Sequence, residues 1–424
     1  MAFTPLSNDD AQTLALADAA IVQAKIAELG QRAIPPWLLP TNPYQDGKVP
    51  TGEAAFAAAD NEHLLEVLAI RGPLHAIDGW GYLGRAINAL VCGKPHAARH
   101  LAYYGELRGA LSILAMSGIG IFNRRNVVFD AAGDRHTLAN RDTHDMCWAA
   151  LESWSMLEDS LDLIVRPLTI GTSSLLDGLA DFFPGSKFSG TCAYIMESWG
   201  FDLKQGASDR DERNWSSYQL TSLQPIPTAP QEITEFLEMY WSLLRPDNFA
   251  LERHLFRILL EAEMRSVGEV QLQDRIAAYS KLAPEVQALV SEDFLLRVED
   301  PNDHQFLTYV ADQATPARPF AMLCRAALIL KLATGLAEER LRTAGVNPNV
   351  HLDDWWRQFG LENGLWAPAA APENSVDLWG DIAVALEDLA AAPTDNRFDW
   401  TTVAGSAVTR VAELDRAGIW QLVR

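Results

Sequence analysis

Six consecutive residues, Arg213-Asn-Trp-Ser-Ser-Tyr218, form the polar run of most chemical interest in the chain. Arg213 offers a planar guanidinium fork, which meets phosphate oxygens two at a time. Asn214 follows directly, and Tyr218 closes the run. A phenol with an ordinary pKa near ~10 is a poor base at neutral pH. It can orient a phosphate or act as a weak acid. Imidazoles suit proton transfer better, and six of the nine histidines lie between His63 and His144. His144 stands with Asp145 near the expected start of a helix, where it could complete a metal site with His96 and His100.

His96-Ala-Ala-Arg-His100 has the i, i+4 spacing of a two-imidazole metal site. Gly93 and Pro95 interrupt the helical face that would add Cys92, no Glu lies between the histidines, and no Cys-x-x-Cys occurs. The run reads as polar residues in a helix's first turn, and no metal is expected. Phosphate-cradling loops of the Gly-x-x-x-x-Gly-Lys-Ser/Thr and Gly-x-Gly-x-x-Gly types are absent, as is the Gly-x-Ser-x-Gly elbow, so no cofactor is expected either. Asp209, Asp211 and Glu212 form an acidic cluster that reads as a solvated face. Tyr103, Tyr104 and Trp148 read as core aromatics rather than base-stacking platforms.

The chain has 424 residues and a net charge of −22, which repels nucleic acid over most of its surface. Between Trp80 and Arg141 basic residues outnumber acidic ones. Arg99, Arg108, Arg124 and Arg125 are the candidate phosphate-binding or nucleic-acid-binding residues there. Solvated faces and ordinary ion pairs are the plainer account of the same charges.

These residues need helices to position them. Pro95 suits a helix's first turn, and Leu101, Tyr104, Leu107, Leu111 and Leu114 place one apolar face on a helix over 96–116. A small hairpin is expected from Ile119-Gly-Ile-Phe122 and Val127-Val-Phe129, turning through Asn123-Arg124-Arg125. Residues 131–141 read as a polar turn. Asp142 caps a helix whose inner face runs from Cys147 to Ile164. Upstream, helices are expected over 8–30, 53–71 and 83–92, with a proline-rich connector over 33–50. Downstream, Pro225, Pro227 and Pro230 mark a linker, followed by further helices, among them the apolar segment 320–343. The expectation is an all-α protein with one small β-hairpin. Its divisions are residues 1–79 (N-terminal helices and connector), 80–224 (central helical domain) and 231–424 (C-terminal helical domain).

The apolar run 109–122 is too short to span a bilayer. The first residues lack the basic and apolar regions of a secretory signal. The four scattered cysteines look like small buried hydrophobes in a reducing compartment. A cytoplasmic protein without membrane attachment is expected.

The order of pieces resembles the HEPN superfamily, especially its YaaC-like relatives. The pieces are a helix with Ala102-Tyr103-Tyr104 and Arg108-Gly-Ala-Leu111, then Thr143-His144 at the next helix start, then a late polar helix opening on Arg213-Asn214. The likeness covers roughly residues 80–220. It implies a multi-helix HEPN-like domain with a hairpin insertion. Active ribonucleases of that superfamily carry an Arg, a polar residue after it, and a His four to six residues on. Here position 218 is Tyr. The resemblance therefore implies a non-catalytic protein acting by protein–protein assembly, with protein partners and a homo-oligomeric state. Its setting is that of bacterial conflict systems, either antiviral defence or toxin–antitoxin pairs. The alternative is a metal-independent ribonuclease with RNA as partner. Its composite site would form at a homodimer interface from Arg213, Asn214 and Tyr218, with His144 or His100 in place of the missing histidine.

Overall fold

A computed structural model describes residues 4–32, 49–50, 52–183, 190–218, 226–245, 249–267, 272–296, 304–346, 360–362, 366–367, 369 and 377–413. The chain is mostly helical, with a few short antiparallel strand pairs, as an all-α fold with a small hairpin requires. The N-terminal segment forms α1 (Asn8–Leu14), α2 (Ala19–Arg32) and α3 (Glu53–Ala57). The single helix expected over 8–30 is thus two. Asp18 breaks it: its N–H donates to the Phe129 carbonyl at 3.0 Å, and its carboxylate caps Ala20 N–H.

The helix expected over 53–71 breaks after α3, and its second part joins the one expected over 83–92 in a 31-residue helix, α4 (Asn61–Val91), which contains Pro73. Proline removes an intrahelical donor, and that is why the sequence reads as broken there. The Ser112 hydroxyl donates to the adjacent Gly72 carbonyl at 2.7 Å, and apolar residues stay buried on both sides of the proline. α5 (Pro95–Met116) follows with Pro95 in its first turn, as expected.

The hairpin is present and gains a strand. β1 (Ile119–Gly120) pairs antiparallel with β2 (Val127–Phe129), with Ile119 opposite Val128. β3 (Arg135–Thr137) then pairs with β2 and places His136 opposite Val128. Residues 131–141 are therefore not merely a turn. Asp130 nucleates the bend by accepting from Ala132 and Asp134 N–H at 2.9 Å each.

Asp142 caps α6 (Thr143–Ser155), accepting from Asp145 N–H at 3.1 Å. The helix expected to run on to Ile164 stops at Ser155 and restarts as α7 (Ser160–Val165). Then come β4 (Thr169–Ile170), β5 (Ser173–Ser174), α8 (Leu175–Phe182), α9 (Cys192–Ser198) and α10 (Gln205–Tyr218). The polar helix starts at Gln205, so Arg213-Asn214 lies within it rather than opening it.

Beyond the proline linker run α11 (Pro230–Leu244), α12 (Ala250–Val267), α13 (Leu272–Tyr279), α14 (Pro284–Leu289), α15 (Glu292–Leu296) and α16 (Gln305–Val310). They are followed by α17 (Pro319–Thr343), α18 (Asp377–Ala391), α19 (Arg397–Ala404) and α20 (Ala407–Arg410). α17 is the one described helix long and apolar enough to cross a membrane, and 94% of its apolar window is buried inside the protein. It packs along α4 and α5. Trp80 Nε1 on α4 donates to Thr334 Oγ1 on α17 at 3.0 Å. The core is therefore continuous across the linker at 225–230.

α5 is the hub, in contact with α4, α17, α10 and α6. Glycines permit the close approaches. A Cβ on Gly109 would lie 2.9 Å from Ile329 Cγ2 of α17, and one on Gly206 would lie 2.4 Å from the Trp148 ring of α6.

Candidate functional site

α10 lays a polar face on α5. Asp209, Glu212, Arg213, Ser216 and Ser217 recur at helical spacing, so they share that face. Asp209, Glu212, Arg213 and Ser216 are buried, while Trp215 on the opposite side is 51% exposed. The acidic cluster expected to be solvated is instead largely internal. It is tolerated because each charge meets a partner, without which burial would be prohibitive.

The innermost layer joins three helices. Arg325 of α17 grips Asp209 bidentately, Nε to Oδ2 and Nη2 to Oδ1, both at 2.7 Å. Arg325 Nη1 also donates to the Asp312 carbonyl at 2.9 Å. Glu106 of α5 lies 3.7 Å from Arg325 Nε. Burial, then the neighbouring Asp209 charge, holds the Glu106 carboxyl well above its ordinary range. Arg325 favours Asp209, so Glu106 is the member that keeps a proton. One turn along, Arg99 pairs with Glu212, and both are buried.

The outer layer holds the residues singled out for chemistry. The Arg213 guanidinium lies over the Tyr103 and Tyr104 rings, 5.4 and 5.5 Å from their centroids. Its Nη2 is 3.4 Å from His144 Nε2. His144 Nδ1 is 2.9 Å from Tyr103 Oη, which also accepts from Trp148 Nε1 at 3.4 Å. Arg213 has only N–H groups, so Nε2 of His144 must be the accepting nitrogen and Nδ1 carries the hydrogen. His144 is held below its ordinary pKa by burial and then by the Arg213 charge. Burial raises the Tyr103 phenol. His100, one turn before Tyr104, meets Ser217 Oγ through Nδ1 at 2.5 Å, and burial and Arg213 also lower its pKa. Arg213 Nε is buried and unbonded among the described residues.

Arg213 and His144 are thus brought together. Asn214 is half-buried beside them in sequence. Tyr218 ends α10, and its side chain lies outside the described residues. The four candidate phosphate-binding arginines do not converge on this centre. Arg99 is consumed by Glu212. Arg108 bonds His75 Nδ1 at 2.8 Å and lies 3.5 Å from Asp78. Arg124 and Arg125 sit at the hairpin turn. Tyr103 and Trp148 are core residues, as expected, while Tyr104 is only half-buried beside the Arg213 guanidinium. No group of three or more His, Cys, Asp or Glu side chains is placed to hold a metal among the described residues. Sequence reasoning missed Arg325 and Glu106 as members of this cluster. The 209/212/213/216 spacing on α10 was the available signal for a polar face needing partners. The chain matches no protein-family model, no curated protein and no solved structure, so the chemistry of the centre is read from its own residues.

Proposed function

We propose that this chain is a non-catalytic HEPN-like helical protein of the bacterial cytoplasm that acts by protein–protein assembly, in antiviral defence or a toxin–antitoxin pair. One observation carries the non-catalytic part. Both ring nitrogens of His144 are engaged within the chain, Nδ1 with Tyr103 Oη and Nε2 with Arg213 Nη2. Metal-free RNA cleavage needs a base for the 2′-hydroxyl proton and an acid for the leaving oxygen. A lone pair aimed at Arg213 is not open to that proton. The acid is missing too: His144 and His100 are both lowered and hence neutral at pH 7, and the Tyr103 phenol is raised. The assembly part is supported by exposed apolar side chains on the C-terminal helices: Val384 on α18, and Phe398 and Val403 on α19.

The test is incubation of the purified full chain with single-stranded RNA in EDTA. RNA should stay intact. Steady cleavage that disappears in Arg213→Ala would overturn the reading. Light scattering of the wild type against Phe398→Ser then tests assembly, with a smaller particle expected for the variant.

A second reading, a metal-independent ribonuclease at a homodimer interface, is favoured by one feature. His100 has one nitrogen bonded to Ser217, and its Nε2 makes no bond among the described residues. It is a neutral imidazole suited to act as a base, with a second copy supplying the acid.

A further inference from the structure

The β1–β2 hairpin turns through Asn123 and Arg124, whose φ angles are 50° and 69°. Left-handed backbone is free for glycine and strained for residues with a Cβ. The segment that follows β3 holds the strain in place. Arg124 N–H donates to the Arg141 carbonyl at 2.9 Å, and Asn126 Nδ2 donates to the Ala139 and Arg141 carbonyls at 3.0 Å each. The result is an Arg124 side chain that is exposed and makes no hydrogen bond or ion pair among the described residues.

Arg124 lines a cleft of about 640 Å³, together with Arg125, Arg135, Phe56, Asn140 and Glu53. The Phe56 ring is a platform for two of the guanidiniums, Arg125 at 5.8 Å and Arg135 at 5.5 Å from its centroid. Arg135 donates to the Phe56 and Ala57 carbonyls at 3.1 and 3.0 Å, and Arg125 donates to the Pro50 carbonyl. A guanidinium has five N–H groups, so both keep donors beyond those bonds. Three guanidiniums stand against one carboxylate, Glu53, in a protein of net charge −22.

The volume suits a small molecule. Charge argues the same way. A long polyanion would run on over an acidic surface, whereas a compact anion answers mainly to charges within a Debye length of about 8 Å. We propose that this cleft binds a small phosphorylated ligand with two or more linked phosphates, of nucleoside diphosphate or triphosphate size, clamped by Arg124, Arg125 and Arg135. The cleft shares no residue with the Arg213 centre, and the proposal stands apart from the function assigned to that centre.

Calorimetric titration of the full chain with ATP, ADP, AMP, pyrophosphate and inorganic phosphate, all in EDTA, tests it. Saturable binding of ATP, ADP or pyrophosphate is expected, with AMP and phosphate at least about tenfold weaker. Arg124→Gln should weaken binding at least about tenfold without moving the thermal midpoint, because its side chain supports nothing in the fold. Arg213→Ala should leave the affinity unchanged. Should Arg124→Gln fail to fold, Arg124→Lys, which keeps the charge and loses the fork, should show a smaller loss in the same direction. Absence of saturable binding for every probe up to several millimolar overturns the proposal, as does equal affinity in wild type and variant. Binding confined to a single-stranded RNA oligonucleotide and lost in Arg124→Gln also overturns it, since the cleft would then be a nucleic-acid surface.

Discussion

Arg213 and His144 meet at 3.4 Å, Nη2 to Nε2, although 69 residues separate them. The contact joins α10 to the start of α6 and fixes which imidazole nitrogen carries the hydrogen. A donor-only guanidinium next to Nε2 leaves no room for a second hydrogen there. Removing it in Arg213→Ala should raise the His144 pKa toward the ordinary histidine value, read from ring-proton shifts in an NMR titration. The same variant leaves a cavity against Tyr103 and Tyr104 and should cost about 2–4 kcal/mol in chemical denaturation. An unmoved His144 titration would mean that the two side chains do not touch in solution.

Arg325 should be the most costly single charge to delete. Arg325→Ala strands Asp209 without its bidentate partner in a fully buried layer. Breaking such a pair from one side costs about 3–5 kcal/mol. The double variant Arg325→Met, Asp209→Leu should recover much of that loss, because it removes both charges. Urea denaturation of the single and double variants checks the difference.

Glycine spacing on α5 predicts opposite outcomes one turn apart. A methyl group at Gly109 would press on Ile329 of α17 at 2.9 Å and on its carbonyl carbon at 3.2 Å. Gly109→Ala should therefore cost about 1–3 kcal/mol through displaced packing. A methyl at Gly105 would meet the Ala326 Cβ at 3.4 Å, an ordinary contact. Gly105→Ala should be near neutral, since the helix-propensity gain of up to about 1 kcal/mol offsets any crowding. Thermal midpoints of the two variants decide it.

Much of this architecture is legible in the amino-acid sequence alone. The Leu101 to Leu114 stripe marks α5, Pro95 its start and Asp142 the start of α6. These features are local: a cap, a breaker or a periodicity acts within a few residues. What the sequence hides is pairing at long range. Asp209 and Glu212 look solvated because nothing near them in sequence is basic except Arg210 and Arg213. Their partners Arg325 and Arg99 arrive from α17 and α5. Pro73 misleads in the opposite way. It is a helix breaker by local rules, yet α4 continues through it because burial on both sides outweighs one lost hydrogen bond. The His144–Arg213 contact is of the same hidden kind.

Glu106 should act as a built-in penalty at neutral pH. Its folded-state pKa is raised, first by burial and then by Asp209. A raised carboxyl stabilises the fold below its unfolded value near ~4.5 and loses that contribution as pH rises through the folded value. Glu106→Gln keeps the shape and cannot ionise. The variant should match the wild type near pH 4.5 and be more stable at pH 7, by about 1–3 kcal/mol on the scale of one relieved buried polar group. Equal urea midpoints at pH 7 would show that Arg325 holds Glu106 ionised at no cost.

Histidines should dominate the pH response between neutrality and about pH 5. His75, His100 and His144 are all held low, burial being the first cause in each. Arg108 adds to it for His75, and Arg213 for the other two. The unfolded chain takes up protons near an ordinary value of about 6.5, while the folded chain resists them. Stability is therefore full above that value and falls as pH drops through it toward the folded values. Glu106 works against this slope, because its contribution grows as pH falls. The decline from pH 7.5 to 5.5 should accordingly be steeper in Glu106→Gln than in the wild type, and shallower in His75→Gln. Urea midpoints for the three proteins at half-unit pH steps test both signs at once. A Glu106→Gln profile that rises on acidification, with the opposing carboxyl removed, would place these imidazoles in a charged state in the folded protein, contrary to their guanidinium neighbours.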